Sequence, residues 1–362
     1  MTIPKTLSQY KKKQYLFILL FLLPWMISFS YGQKNGPPPL ENGPVEVSVT
    51  LRINKIYNIN SVNETYQIDG YVIYSWKDER VKFDAKDSIN NSLIYENDQA
   101  RELMKNDVWI PAFEFINVQG SGVTPNIRIE IYPDGTIEHE KRFFYTLNSD
   151  MDYTKFPFDS QSYKLSIESF SYGTSYITFK NPKLFLEDDH NEYLGEDWKH
   201  ISNNITLSNK QYRYMDDDVN SEKNLYSRVT FDIKAKRLSG YYQWQVLFPL
   251  LIIILASFAI FWIQEFSTQV SVGFTLMLTV VAFNFYSASI LPKLSYNTFI
   301  EYVIIVGYIF IFLGIIAVII NHRINGGDLK KKDRIPLFNY CRYGFPIVYS
   351  IIMIILYFKL IK

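Results

Sequence analysis

Over the first two thirds of the chain, apolar and polar residues alternate in short runs. Examples are Val45-Glu46-Val47-Ser48-Val49-Thr50-Leu51-Arg52-Ile53, Tyr71-Val72-Ile73-Tyr74-Ser75-Trp76, Ile127-Arg128-Ile129-Glu130-Ile131 and Lys164-Leu165-Ser166-Ile167. A period of two in segments rich in Ile, Val and Tyr predicts strands with one buried face. Pro133-Asp134-Gly135 between two such runs predicts a hairpin turn, since glycine supplies the positive φ that other residues resist. About ten strands with frequent turns predict a β-sandwich over residues 45–240. From Tyr241 the alternation gives way to four nearly uncharged apolar stretches, near 241–262, 267–290, 298–320 and 335–358. Each is a helix of about 33 Å at 1.5 Å per residue, long enough to span a bilayer. The link Ile263 to Phe266 is so short that the first two helices must be antiparallel neighbours.

The chain opens with Lys5, Lys11, Lys12 and Lys13, an apolar run from Tyr15 to Phe29, and then Ser30-Tyr31-Gly32. That layout predicts a signal peptide over 1–32, followed by a Pro/Gly-rich linker over 33–44. An uncleaved anchor is the alternative, but Pro24 interrupts the run. The loop from Asn321 to Arg334 carries Arg323, Lys330, Lys331, Lys332 and Arg334, which places it in the cytoplasm. The reading is a multi-pass protein of the plasma (inner) membrane, with its sandwich extracellular or periplasmic.

Charge and chemistry narrow the function. A net charge of +1 over 362 residues provides no field for nucleic acid. Cys341 is the single cysteine, so neither an intrachain disulfide nor a cysteine metal cluster is available. His139, His190, His200 and His322 are scattered, and no phosphate loop or nucleophile elbow is present. No enzyme, cofactor or metal centre is expected. A non-conducting ligand sensor is a second alternative, but a cytoplasmic loop of about 14 residues is too short for a signalling domain.

In the second apolar stretch, Ser271, Thr275, Leu278, Ala282, Phe285 and Ser289 recur at steps of four and three, one stripe of a helix. Hydroxyls occupy its inner half and large apolar groups its outer half. Such residues either pack helices together or line water. In the second case several copies surround a pore, with Leu278 and Phe285 as a dewetting gate and Ser271 and Thr275 hydrating ions. Pro292 and Lys293 end the helix at the outer surface.

Two segments carry a resemblance: Phe156-Pro157-Phe158-Asp159-Ser160-Gln161 and Phe274-Thr275-Leu276-Met277-Leu278-Thr279-Val280-Val281-Ala282. The chain resembles the pentameric ligand-gated (Cys-loop-type) channels over nearly everything after the leader, in particular the amine-gated bacterial branch of the ELIC type. The first segment is similar to the family's signature loop and the second to its pore helix. Ser149 and Tyr163 stand where animal members have the two loop cysteines. The resemblance implies a homopentamer around a central pore, with agonist sites between adjacent extracellular domains. Its principal side would comprise Glu114, Glu168, Phe170, Tyr214 and Tyr226, and its complementary side Tyr71, Arg128 and Glu140. Aromatic faces with carboxylates favour a small primary amine. Arg52 replaces an aromatic and Glu140 an amide, so a zwitterion also fits. Coupling would run through the Asn63-Glu64-Thr65 turn, Asp159 paired with Arg237, and the Pro292-Lys293 linker. The pair serves gating or is a static brace.

For ion choice, the position that carries a glutamate in cationic members is Thr268 here, and the nearest acid is Glu265. A ring of Glu265 side chains would attract monovalent cations if it faces the pore; otherwise Glu265 is a solvated loop residue. With no basic ring at the mouth the reading favours cations, an anion-selective channel being the alternative. Two acidic runs, Glu187, Asp188, Asp189, Glu192, Glu196 and Asp197, then Asp216, Asp217 and Asp218, are either solvated or a place for Ca²⁺ modulation, without EF-hand spacing.

Overall fold

The structure is a computed structural model that describes residues 36–40, 43–87, 91–187, 193–194, 197–212, 224–325 and 337–361. The expected signal peptide, Tyr214, Lys330 to Arg334 and all of the acidic-run residues except Glu187 and Asp197 lie outside the described residues.

The alternating segments form eleven described strands: β1 (Val45–Asn60), β2 (Thr65–Lys77), β3 (Leu93–Glu96), β4 (Phe113–Phe115), β5 (Ile127–Ile131), β6 (Thr136–Asn148), β7 (Ser160–Ser169), β8 (Ile177–Leu186), β9 (Tyr193–Leu194), β10 (Trp198–Gln211) and β11 (Leu225–Arg237). They build a six-stranded sheet, β3-β5-β6-β2-β1-β8, and a five-stranded sheet, β4-β7-β11-β10-β9. All pairings are antiparallel except that of β1 with β8. A helix, α1 (Asn97–Asn106), follows β3.

Period-two alternation turns Val47, Val49 and Leu51 of β1 inward to meet Tyr163, Leu165 and Ile167 of β7 and Val229, Phe231 and Ile233 of β11, all fully buried. The Pro133-Asp134-Gly135 turn needs its glycine twice over: φ is +85°, and a Cβ there would lie 2.6 Å from the Asp78 carbonyl oxygen. His139 of β6 also points inward. It is buried, both ring nitrogens lack a hydrogen-bond partner among the described residues, and burial, helped by Lys141, pushes its pKa down to about 3.

Among the described residues, four helices long and apolar enough to cross a membrane follow: α2 (Gly240–Trp262), α3 (Phe266–Ser289), α4 (Phe299–Asn325) and α5 (Leu337–Leu360). The third runs on to Asn325 rather than ending near 320, with His322 and Arg323 in its last turn, where cations complement the helix dipole. Within α2, Gln243–Leu247 widens into a π-helical turn. The cause lies just beyond it: Pro249 has no N–H to give the carbonyl of Gln245. Small residues let the helices approach closely: a Cβ at Gly273 of α3 would lie 2.7 Å from Ile315 Cγ1 of α4.

Candidate functional site

The five-stranded sheet presents the expected principal face. Glu114 lies opposite Glu168, and Glu168 opposite Arg228, so the three form one cross-strand row over β4, β7 and β11. Glu114 is exposed, whereas Glu168 is only 2% exposed. Arg228 donates its Nε–H to Glu168 Oε1, the Tyr212 hydroxyl donates to Oε2 at 2.7 Å, and Arg228 Nη2 donates to the Tyr212 oxygen at 3.1 Å. Burial, and then the bond to Glu168, raise the Tyr212 pKa. Phe170 is 67% exposed, and half-buried Tyr226 meets Tyr212 edge-on at 5.6 Å. Arg228 and Tyr212 are absent from the sequence reading. A signal for Arg228 was there: it stands two residues after Tyr226 and therefore shares its face.

The six-stranded sheet presents the expected complementary face. A cavity of about 180 Å³ there is lined by Tyr71, Glu96, Asn126, Arg128, Glu140 and Arg142, among others, so the three expected residues come together. Arg128 binds Glu130 at 2.5 Å and approaches Glu140 at 4.0 Å. Arg142 pairs with Asp69 at 3.3 Å and lies over the Tyr71 ring, as does Arg52. The two faces belong to different sheets.

At the base of the sandwich, Arg237 and Asp159 form a bidentate pair, Nε to Oδ1 at 2.8 Å and Nη2 to Oδ2 at 3.0 Å. Gln161 adds a third bond to the carboxylate at 2.6 Å, and the guanidinium lies against the rings of Trp198, Phe156 and Tyr242. Arg237 Nη2 also reaches Ser61 Oγ at 3.4 Å, tying this cluster to the Asn63-Glu64-Thr65 turn region. Where the cysteine bridge is missing, the Ser149 hydroxyl donates to the Ser162 carbonyl at 2.5 Å, and Tyr163 packs edge-on against Tyr66 and Trp198. Pro292 is half-buried and Lys293 exposed. Besides the Arg237–Tyr242 contact, contacts that cross into the membrane domain come from Tyr296 and Phe299, slightly later than Pro292-Lys293. The Tyr153 N–H donates to the Tyr296 hydroxyl at 3.0 Å, the Phe299 N–H donates to the Thr154 carbonyl at 3.1 Å, and the Phe158 and Phe299 rings meet at 5.8 Å.

In α3 the whole stripe Ser271, Thr275, Leu278, Ala282, Phe285 and Ser289 is exposed in the single subunit, Leu278 by 69% and Phe285 by 72%. The opposite face, Gln269, Gly273, Val280 and Ser287, is buried. Gln269 Nε2 donates to the carbonyls of Ile260 and Ile263, at 3.0 and 2.7 Å. Helix-to-helix packing within the subunit therefore uses the other face. At its inner end Glu265 is exposed and accepts from Thr268 Oγ1 at 2.6 Å and Ser267 Oγ at 2.7 Å, bonds that lower its pKa and favour the carboxylate. Among the described residues, no group of three or more His, Cys, Asp or Glu is placed to hold a metal ion.

Residues 24–239 match the model of the neurotransmitter-gated ion-channel ligand-binding domain, more than half of the chain. The chain belongs to this family of ligand-gated ion channels. It is 25% identical over 344 residues to a proton-gated ion channel of Gloeobacter violaceus, covering 92% of this chain and 89% of that one. It is 28% identical over 285 residues to the gamma-aminobutyric acid receptor subunit beta-4 of Gallus gallus, and 24% over 297 residues to subunit rho-3 of Homo sapiens. In both cases 77% of this chain is matched, and the chain spans only 55% and 58% of those receptor subunits.

Membership makes the assembly a pentameric membrane channel with its ligand-binding domain on the extracellular or periplasmic side. The family is one of channels, not enzymes. These relatives identify the superfamily and do not single out the amine-gated branch.

Proposed function

We propose that five copies of this chain form a cation-conducting channel opened by a small amine bound between adjacent extracellular domains. The observation that carries the channel's pore is the α3 stripe, exposed along its length with an ionised Glu265 at its inner end. Five such helices around an axis give a ring of carboxylates at the cytoplasmic mouth, hydroxyls above it, and two apolar rings, Leu278 and Phe285, that exclude water when the pore is narrow. The amine is supported by exposed Glu114 and Phe170 on one face, and by Tyr71 beside Glu96 and Glu140 on the other. Asp159 and Arg237 then hold the base of the sandwich firmly enough to transmit movement to Tyr296 and α4.

Current through purified protein in a planar bilayer under asymmetric NaCl, with small primary amines applied to the sandwich side, tests this. The expected outcome is an amine-evoked current reversing near the Na⁺ equilibrium potential. Leu278→Ala is expected to shift half-maximal activation to lower amine concentration by about tenfold, because burial of the leucine ring stabilises the closed pore. Reversal near the Cl⁻ potential overturns the ion choice and keeps the channel.

A further inference from the structure

A second cavity of the sandwich shares no residue with the principal and complementary faces. It has a volume of about 340 Å³ and opens between the later half of β1 and the β9–β10 edge of the other sheet. Its lining includes Lys55, Tyr57 and Asn58 of β1, Leu194 of β9, and Asp197 and Trp198 at the start of β10. A bulge shapes the β1 wall. Tyr57 pairs with Gln67 and Asn60 with Thr65, so β1 carries one residue more than β2 between those pairs. Asn58 takes up the extra length at a φ of +49°, and its Nδ2 donates to Gln67 Oε1 at 2.7 Å. Asparagine enters this left-handed region more readily than most residues, and bulges re-aim the side chains around them. Lys55 and Tyr57 share a face by alternation, and the Lys55 ammonium lies 5.7 Å from the centre of the Tyr57 ring.

Two opposite charges face this cavity without neutralising each other. Neither Lys55 nor Asp197 forms an ion pair among the described residues, although Asp197 is fixed in place by the Leu238 N–H, which donates to its carbonyl at 2.7 Å. A simple cation entering here would meet the Lys55 ammonium, and a simple anion the Asp197 carboxylate. A ligand that carries both charges satisfies both residues. The remaining walls set the rest of its chemistry: Tyr57, Leu194 and Trp198 favour a flat apolar body. The volume stands near the lower end of the roughly 300–1,000 Å³ found for ligand sites, so that body is small. Trp198 is also the ring that carries the Arg237 guanidinium at 4.2 Å, so one side chain separates the cavity from the Asp159–Arg237 pair.

We propose that this cavity is a second ligand site, one that takes a small zwitterion with an aromatic body, the chemistry of a free aromatic amino acid. Lys55 holds the carboxylate, Asp197 the ammonium, and Tyr57 with Leu194 and Trp198 the ring. The site does not rest on the amine reading above, because none of these residues belongs to the two faces that support it. It also gives Asp197, one member of an acidic run with no other assigned part, a defined partner.

The test is isothermal titration of the purified full-length pentamer with L-phenylalanine, phenylalaninamide and N-acetylphenylalanine, for wild type, Lys55→Met, Asp197→Asn and Phe170→Ala. Lys55 and Asp197 are both exposed, so neither substitution disturbs the core, and size-exclusion elution confirms assembly. Expected is phenylalanine binding by wild type that weakens roughly tenfold or more in Lys55→Met and in Asp197→Asn and is unchanged in Phe170→Ala. Phenylalaninamide, which lacks the carboxylate, should bind wild type as weakly as phenylalanine binds Lys55→Met, and should lose nothing further in that variant. N-acetylphenylalanine, which lacks the ammonium, should stand in the same relation to Asp197→Asn. Absence of phenylalanine binding to wild type overturns the site, as does binding that both cavity variants leave unchanged. Weakening in only one of the two overturns the zwitterion. Weakening in Phe170→Ala overturns the site as well, since the amino acid would then be held at the principal face.

Discussion

Strands β7 and β11 carry an arginine–carboxylate pair at each end, and the contrast between the two shows how one chemistry serves two purposes. At the membrane end, Arg237 and Asp159 are 3% and 1% exposed, doubly bonded, supported by Gln161 and stacked among three rings. At the ligand end, Arg228 is seven times as exposed as Arg237, and only a tyrosine hydroxyl supports the pair. A buried pair whose remaining donors and lone pairs are all engaged behaves as a fixed joint. A pair with one solvated member is exchangeable. The same two strands thus run from a partly solvated pair at the top to a buried, fully braced one at the bottom.

The largest effect expected from breaking this contrast is at the lower pair. Arg237→Met leaves Asp159 as an uncompensated buried charge and should cost about 3–5 kcal/mol, read as loss of the assembled pentamer or a large fall in its melting temperature. Next comes a buried group that belongs to neither pair and separates ion-pair effects from acid effects. His139 binds no proton in the folded sandwich until the pH nears 3, whereas the unfolded chain protonates it around 6.5. The domain should therefore lose stability as pH falls through that window, by about 1.4 kcal/mol per unit from this residue, and the loss should stop below the lower value. Denaturant melts of His139→Phe between pH 4 and 7 are expected to show a flatter slope than wild type; an unchanged slope places the acid sensitivity elsewhere. The smallest and sharpest test is lysine at both ends. Arg237→Lys gives up the bidentate geometry and the ring stacking and should cost about 1–2 kcal/mol, while Arg228→Lys keeps a single-point cation and should change stability by under about 0.5 kcal/mol. Equal costs would erase the distinction between fixed and exchangeable pairs.

The sequence made local periodicity readable. Strand faces such as Val47-Val49-Leu51, the Pro133-Asp134-Gly135 turn, the four long apolar runs and the α3 stripe all follow from steps of two, three or four along the chain. Pairings across the fold were not readable in the same way. That Arg228 lies opposite Glu168 depends on the register between β7 and β11, and that Tyr296 reaches Tyr153 depends on how the two domains dock; neither is written in any single segment. The resemblance implied a ligand role for Glu168 and gave no sign that Arg228 of the same chain pairs with it. The π-helical turn before Pro249 illustrates a middle case, since the proline was visible but its remedy, a wider turn rather than a break, was a matter of packing.

The close approach of Gly273 to Ile315 has a mechanical meaning for the pore. Near its inner end α3 is bolted, by backbone-close packing against α4 and by the two bonds from Gln269 to the end of α2. Farther out it rests on side-chain packing, a bond from the Tyr308 hydroxyl to the Val280 carbonyl at 3.2 Å, and a bond between the Tyr286 and Tyr241 hydroxyls. In the proposed channel, force arriving at the outer end would turn the helix about this inner pivot, leaving the rim at Glu265 in place while Leu278 and Phe285 swing outward like the blades of an iris. In the proposed channel, choosing an ion and admitting it are then separate acts, the first set by a part that stays still and the second by a part that swings.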